Sequence, residues 1–365
     1  MKVTLSINPN YVRDWGFAEA IRELYQNALD QQTKITGNTL GFEYIAAEKH
    51  MVISNKASTL DRSSLMLGSS TKADDDETIG QFGEGYKLAL LVLLRLGHKV
   101  VIENYAAREK WVPEISHSKE FGCEALKITI IKHVFKSVPN HDLTFHIFNV
   151  SVDDYIRCEM TNIHLRVKYP AFIQCEQGRI LTDPGEQGRL YVRGLYIETI
   201  KDKKMLCGYD IIPKHLQIDR DRKTVKTFDL YWLTSRMWTD AYAQNKDLVQ
   251  KMVEDGNTDV QYIQYSNDRP VERIAEDTYT RIKEAHPNLE PVTNQADAAI
   301  CKAHGIGTYF VTGTQAAIIA KSPRYMAPVR TQTVRKTPAD LIDDYFNNLI
   351  SETELRTLSQ EWGWT

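Results

Sequence analysis

The sequence predicts an α+β fold, helices layered on an antiparallel sheet, and three features of residues 1–150 carry that prediction. An amphipathic stretch near the N-terminus has helical spacing. A second helical stretch, Tyr86 to Leu94, is apolar almost all round and therefore buried. Strand-like runs lie before and after it, and antiparallel strands behind a helical layer make a two-layer sandwich.

Taken in order, Met1 to Thr4 is strand-like, and the first helix runs from Phe17 to about Gln32. It opens near Asp14 and closes at the turn residues Thr36-Gly37-Asn38. Ile21, Leu24 and Ala28 form one stripe, while Glu23, Asn27 and Asp30 fall at i, i+4 and i+7 on another. A polar face of this kind ordinarily meets water. It also has the chemistry for a sharper role: an Asn oxygen suits Mg²⁺ alongside phosphates and waters, and a carboxylate one turn earlier can orient and deprotonate a water. Strands are expected at Leu40 to Ala46 and Met51 to Ser54, then the turn Asn55-Lys56-Ala57-Ser58-Thr59-Leu60 and a short helix from Asp61 to Leu67.

The next stretch, Leu67 to Leu90, combines a small polar run (Gly68 to Lys72), an acidic run (Ala73 to Glu77) and the glycines Gly80, Gly83 and Gly85, directly ahead of the apolar helix. Glycines at this density let backbone N–H groups surround an anion, and a helix start adds unpaired donors and the positive end of its dipole. The bland explanation is a solvated loop before a core helix. An unbroken passage into a buried helix argues for the phosphate cradle instead.

Strands are then expected at His98 to Tyr105, Trp111 to Ile115, Ala125 to Lys132 and Leu143 to Val150. From about Ser151 the pattern changes: a short helix (Val152 to Cys158), strands at Arg189 to Thr199 and Met205 to Ile212, and a long aromatic-rich helix from Thr224 to Ala243. Between the last strand and helix lies a charged string, His215 to Lys223, whose plain reading is a surface turn capping the helix. Beyond about Asn245, Pro270 to His286 is helical, Pro291 to Lys321 reads strand, helix, strand, helix, and Lys336 to Leu358 is helical and partly acidic. The expected domains are 1–150, 151–245 and 246–365. His286 and His304 have no ligand-spaced partners and read as structural or solvent-facing.

Composition excludes several classes. At 42% hydrophobic and 25% charged the chain is an ordinary globular one, and a net charge of −3 gives no global basic field for wrapping nucleic acid, although it leaves room for a local basic patch. No apolar run reaches membrane-spanning length and no signal peptide precedes the first strand, so a cytoplasmic location without membrane attachment is expected. Five cysteines without a C-x-x-C pair fit reduced structural thiols.

In this order the motifs resemble those of the GHKL ATPase superfamily, which includes gyrase B subunits, the large heat-shock chaperones, MutL proteins and histidine kinases. E-L-Y-Q-N-A-L-D, Glu23 to Asp30, is similar to that family's N box, and I-G-Q-F-G-E-G-Y, Ile79 to Tyr86, to its glycine box, nearest the chaperone type. The run Ser69 to Glu77 stands where the family has its ATP lid. The resemblance implies the Bergerat ATP-binding fold over 1–150, a transducer-like α/β domain over 151–245, and a small C-terminal α/β region. It implies Mg²⁺-dependent ATP hydrolysis driving a conformational cycle, with Glu23 as general base and Asn27 as magnesium ligand. Nucleotide contacts fall to Asn27, Asp30, Asn55, Ser70, Thr71, Lys72, Gly80, Gln81, Phe82, Gly83, Glu84, Gly85, Tyr86, Lys87 and Thr144, with Thr129 as the alternative to Thr144. Arg222 matches a transducer arginine that reaches the γ-phosphate, with Arg220 and Lys223 as rivals.

One box departs from the family pattern. Asn55-Lys56-Ala57-Ser58-Thr59 stands where the family has D-x-G-x-G, so Asn55 replaces the Asp that accepts from the adenine amino group. An amide reads adenine through its oxygen or, turned over, guanine through its NH₂. With adenine bound, Asn55→Asp is expected to be tolerated. Two alternatives to an ATPase are a nucleotide-gated interaction module with little turnover and a kinase, the latter disfavoured because Glu23 lies too near Met1 for a preceding dimerising helix. The expected partners are ATP, an unidentified client protein or nucleic-acid complex, and a second copy in a nucleotide-dependent homodimer.

Overall fold

The computed structural model describes residues 1–66, 85–135, 142–216, 227–265, 269–325, 338–347 and 351–361. The chain divides into two compact units, 1–271 and 272–365.

The first unit opens with β1 (Lys2–Leu5), α1 (Phe17–Lys34), β2 (Leu40–Ile45), β3 (His50–Asn55), α2 (Gly85–Arg95), β4 (Lys99–Asn104), β5 (Glu109–Ser118), β6 (Cys123–Lys132), β7 (Leu143–Phe148) and α3 (Val152–Thr161). The strands form a seven-stranded sheet in the order β1-β6-β5-β4-β7-β3-β2 with every pairing antiparallel. One face is apolar at every second residue: Met51 and Ile53, Val100 and Ile102, Ile128 and Ile130, Leu143 and Ile147. Against it lie Phe17, Ala20, Ile21, Leu24 and Ala28 of α1, Ala89 to Leu93 of α2 and Cys158 of α3. This is a two-layer α/β sandwich. Residues Ala89 to Leu93 are all 0% exposed, which is why α2 carries no polar face.

Helix α1 starts later than its sequence signal at Asp14. Gly16 is the cap residue, and its N–H donates to the Glu19 carboxylate at 2.9 Å, satisfying a backbone donor at the helix start. The preceding loop is held by Arg95 at the far end of α2, whose guanidinium donates to the carbonyls of Pro9, Tyr11, Val12 and Trp15 at 3.1–3.2 Å.

A second sheet follows in the same unit: β8 (Phe172–Cys175), β9 (Gly178–Leu181), β10 (Arg189–Val192), β11 (Leu195–Thr199) and β12 (Gly208–Ile211), in the order β11-β10-β12-β9-β8. The single strand expected over 189–199 is instead a hairpin. Arg193 and Gly194 take φ of 49° and 77°, the left-handed pair that a two-residue turn between Val192 and Leu195 requires. A Cβ on Gly194 would also lie 2.3 Å from the His164 ring. Helix α4 (Thr227–Ala241) buries Leu230, Leu233, Met237 and Trp238, and α5 (Lys246–Asp255), which no sequence signal marked, follows it.

Helix α6 (Arg269–Ala285) spans the division between the units. The second unit contains β13 (Leu289–Val292), α7 (Gln295–Ala303), β14 (Gly307–Phe310), α8 (Gly313–Ile319), α9 (Pro338–Phe346) and α10 (Glu352–Glu361). β13 and β14 pair in parallel around Tyr279, Ile282 and Ile319, and His286 stacks on Tyr309 at 3.8 Å, a structural role.

Candidate nucleotide site

The polar stripe of α1 does not face water. Glu23 is 2% exposed and Asp30 0%, and α2 begins directly against Glu23 and Asn27. A Cβ on Gly85 would lie 2.4 Å from Glu23 Oε2 and 3.7 Å from Asn27 Nδ2, so a side chain here would displace the Glu23 carboxylate. Glu23 Oε1 also lies 3.5 Å from the Arg22 guanidinium, which sits 6.0 Å from the Trp15 ring. Asn27 Nδ2 donates to the Glu23 carbonyl at 2.8 Å. That carbonyl can only accept, so the nitrogen end of the amide is the one turned to it.

At the end of β3, Asn55 is 5% exposed. Its Nδ2 donates to the Ala28 carbonyl and to Asn38 Oδ1, both at 2.9 Å, while Asn38 Nδ2 donates to Ser58 Oγ at 2.8 Å. The Ala28 carbonyl again settles the amide's orientation. Both hydrogens are committed inside the protein, and Oδ1 is what Asn55 has left to offer a ligand. The turned-over amide that would read guanine is therefore opposed by the Ala28 carbonyl, and an Asp here would oppose the same carbonyl, although the Asn38 amide can turn over to donate to it because Ser58 Oγ can either accept or donate. The expectation that Asn55→Asp is harmless with adenine is corrected on this ground.

The turn after Asn55 keeps a glycine-like backbone without the glycine: Ala57 has φ of 53°, and its N–H donates to Asp142 Oδ2 at 2.6 Å. Thr59 Oγ1 donates to Asn104 Oδ1 at 3.0 Å, and Asn104, 0% exposed, donates to the Leu60 carbonyl at 2.8 Å. Arg62 pairs with Glu109, which also accepts from Trp111 Nε1 at 2.9 Å. Burial raises the Glu109 carboxyl, but the hydrogen bonds from Arg62 and Trp111 outweigh it and leave the group below its ordinary value. Asn38, Asn104 and Glu109 went unmarked in the sequence, since isolated polar residues within strands and turns carry no motif.

Tyr86 and Lys87, assigned to the nucleotide from the sequence, direct their polar ends at 64–66. The Tyr86 hydroxyl meets Ser64 Oγ at 3.1 Å and donates to its carbonyl at 2.9 Å, and burial pushes it up to about 12. Lys87, 0% exposed, donates to the Met66 carbonyl. Thr144 is not brought to Asn55. It pairs with Ser54 and Glu103 on the sheet face away from the helices, because Leu143 and Ile147 take the helix side of β7 and the period is two. Thr129 alternates with Ile128 and Ile130 in the same way. Ser70, Thr71, Lys72, Gly80, Gln81, Phe82, Gly83, Glu84 and Arg222 lie outside the described residues, as do the lid run and the rivals Arg220 and Lys223.

The second sheet touches α1 on the side of its C-terminal half. Tyr25 stacks on His164 with centroids 6.1 Å apart, and Arg193, at the hairpin turn, donates to Thr33 Oγ1. Asp210 accepts from the Gly194 N–H at 2.6 Å and from Tyr169 at 3.2 Å, and burial holds its carboxyl above the ordinary value.

No family model matches the chain. An uncharacterized protein of Mycoplasma pneumoniae (strain ATCC 29342 / M129 / Subtype 1) is 29% identical over 225 residues, 58% of this chain and 86% of that protein. Among solved structures, the ATPase and transducer domains of DNA topoisomerase II from Balamuthia mandrillaris align at 12% identity with a TM-score of 0.31, over 48% of this chain and 58% of that one. The ATPase region of Saccharomyces cerevisiae topoisomerase II aligns at 14% identity with a TM-score of 0.30, over 49% and 62%. The chain thus spans less than two thirds of those solved chains. Likeness this low is partial, and the functional reading rests on the site residues themselves. Among the described residues no helix is long and apolar enough to cross a membrane.

Proposed function

We propose that the chain is a GHKL-type ATPase that binds Mg²⁺-ATP between α1, α2 and the end of β3, and couples hydrolysis to a conformational cycle acting on a partner macromolecule. The observation that carries this reading is the contact of Gly85 with Glu23 and Asn27, which sets the start of a helix against a carboxylate and an oriented amide. A helix start supplies donors and positive potential for phosphates, and the carboxylate beside it is where a base for water must stand. The residues fit a magnesium ion: Asn27 has an amide oxygen, the atom type Mg²⁺ takes, and its Nδ2 is the atom that donates to the Glu23 carbonyl. Bound there, the ion would neutralise phosphate charge. Asn55 presents an acceptor, which matches the amino group of adenine and supports ATP over GTP.

In this reading Glu23 orients and deprotonates the attacking water. The glycine-box and lid residues from Ser70 to Gly85 hold the phosphates, and Arg222 senses the γ-phosphate; these roles rest on the sequence motifs. The chaperone-type affinity rests on the string Ile79 to Tyr86 alone. The partner is a client protein or a nucleic-acid complex in the cytoplasm, with nucleotide-dependent homodimerisation as part of the cycle. A second reading, a nucleotide-gated interaction module with little turnover, is favoured by the Arg22 guanidinium 3.5 Å from Glu23, since a carboxylate oxygen facing a cation is less open to an attacking water.

Calorimetry with Mg²⁺-ATP, together with steady-state phosphate release by the full chain and by Glu23→Ala, tests the proposal. Binding with turnover that Glu23→Ala removes supports the ATPase. Binding without turnover selects the module, and no binding defeats both.

A further inference from the structure

Helix α4 and the turns that pack on it build an exposed aromatic surface that the nucleotide site does not use. Phe228, Trp232, Tyr265 and Tyr262 form a closed circuit of rings: 228 to 232 at 6.4 Å, 232 to 265 at 6.2 Å, 265 to 262 at 5.9 Å and 262 to 228 at 5.3 Å. Phe228 and Tyr265 are 59% and 58% exposed, and Trp232 and Tyr262 are half-buried. The Tyr262 N–H donates to Ser235 Oγ at 3.0 Å, which fixes the turn carrying two of the rings to the helix carrying the other two. Arg236 stands exposed one turn beyond Trp232 and Asp240 one turn further, so the outward stripe of α4 reads Phe228, Trp232, Arg236, Asp240.

A basic loop is fastened to the same helix. The Tyr231 hydroxyl donates to Asp202 at 2.7 Å, and the Lys204 carbonyl accepts from Asn257 Nδ2 at 2.7 Å and the Thr258 N–H at 3.2 Å. These bonds hold the loop while Lys201, Lys203 and Lys204 stay exposed. Asp202 is engaged by Tyr231 and by the Lys204 N–H at 2.8 Å, and Asp229 is the exposed acid beside Phe228. Among the described residues, three lysines and an arginine face three acids around the rings, and two of those acids are already engaged, Asp202 by Tyr231 and Asp240 by Gln177 Nε2 at 2.9 Å.

We infer that this surface binds single-stranded nucleic acid, with bases stacking on the Phe228, Trp232, Tyr262 and Tyr265 platform and phosphates meeting Lys201, Lys203, Lys204 and Arg236. Lysine is depleted at protein interfaces, whereas exposed rings bordered by cations are what a strand with free base faces and a charged backbone requires. A duplex keeps its base faces stacked and would leave the rings without a role. The inference stands apart from the ATPase reading, and its test needs no ATP.

The test is fluorescence anisotropy of a labelled 20-mer of oligo-dT with the full chain at 50 and 200 mM salt. Wild type is expected to bind, more weakly at the higher salt. Phe228→Ala with Tyr265→Ala is expected to weaken binding roughly tenfold or more, the usual effect of losing base–aromatic stacks, with the salt dependence retained. Lys203→Glu is expected to weaken binding and flatten the salt dependence. Trp232→Phe keeps a ring and is expected to retain binding, which guards against a fold defect. Absence of binding at 50 mM salt, equal affinity for a duplex, or an unchanged affinity in the double ring variant overturns the inference. So does a ring variant that only converts a dimer to a monomer in light scattering, which would make the platform a contact between copies.

Discussion

Gly85 and Glu23 meet across two helices so closely that a β-carbon on the glycine would stand 2.4 Å from the carboxylate. The glycine is thus fixed by a neighbour as well as by any ligand. Gly85→Ala is expected to displace the buried Glu23 carboxylate and to cost up to about 1–3 kcal/mol, the range for overpacking a filled interior. A thermal melt and Mg²⁺-ATP calorimetry check both consequences. A variant with wild-type stability and affinity would show that the carboxylate moves aside freely here.

Glu23→Ala removes the carboxylate and leaves Asn27 anchored to the residue 23 carbonyl. ATP binding is expected to persist while hydrolysis falls by on the order of 10²–10⁴, the contribution of a positioned proton acceptor. Phosphate release against binding affinity separates the two. Equal loss of both would make Glu23 a structural support.

Ala57 holds φ of 53° where the resembled motif has glycine, a conformation costing a non-glycine residue about 1–2 kcal/mol. Ala57→Gly relieves that strain but adds freedom to the unfolded chain, an offset of about 0.4–1 kcal/mol. A small net stabilisation is expected in denaturant titration, with the Asp142 contact unchanged. Clear destabilisation would mean that the alanine methyl packs in a way that outweighs its backbone strain.

The two-layer architecture was legible because its determinants are local and periodic. Met51 and Ile53 alternate on one strand, and Leu90 to Leu93 leave α2 no polar side. That Glu23 and Asn27 share one face of α1 was legible from their spacing. The hairpin at Arg193-Gly194 was not, because Arg189 to Thr199 alternates as one strand would and Arg-Gly is a weak turn signal. The face that Thr144 takes was not legible, because residue type carries no register: Leu143 and Ile147 take the helix side of β7, which sends Thr144 to the other. The Asn55, Asn38 and Ser58 network joins residues up to 20 positions apart through orientation alone, and no spacing rule encodes that.

Glu109 gives the fold a pH dependence of known sign. Its folded carboxyl lies below the ordinary value, so the stability it contributes is complete above the unfolded pKa of about 4.3 and is lost as pH falls through the folded one. Glu109→Gln is expected to be less stable than wild type at pH 7, and the gap should narrow on acidification below about pH 4. Melting curves from pH 7 to 3 measure this. A gap that stays constant would assign the loss to packing around Trp111 rather than to charge.

Asn55 joins fold and specificity in one side chain. Its NH₂ is held by Ala28 and Asn38, so Asn55→Asp would set a carboxylate oxygen against the Ala28 carbonyl, which can only accept. Loss of about 1–3 kcal/mol is expected, the cost of leaving buried polar groups unpaired, whichever nucleotide the site takes. Base preference has to be read in the wild type, where Oδ1 is the atom presented. Competition between ATP and GTP is expected to favour ATP, because the adenine amino group donates to that oxygen while the guanine carbonyl would oppose it. A preference for GTP would require the amide to turn over and break its bond to Ala28, and Asn38→Ala, which frees one hydrogen, should then strengthen GTP binding. If the amide stays as the Ala28 carbonyl fixes it, Asn38→Ala lowers stability and leaves the order of the two nucleotides unchanged.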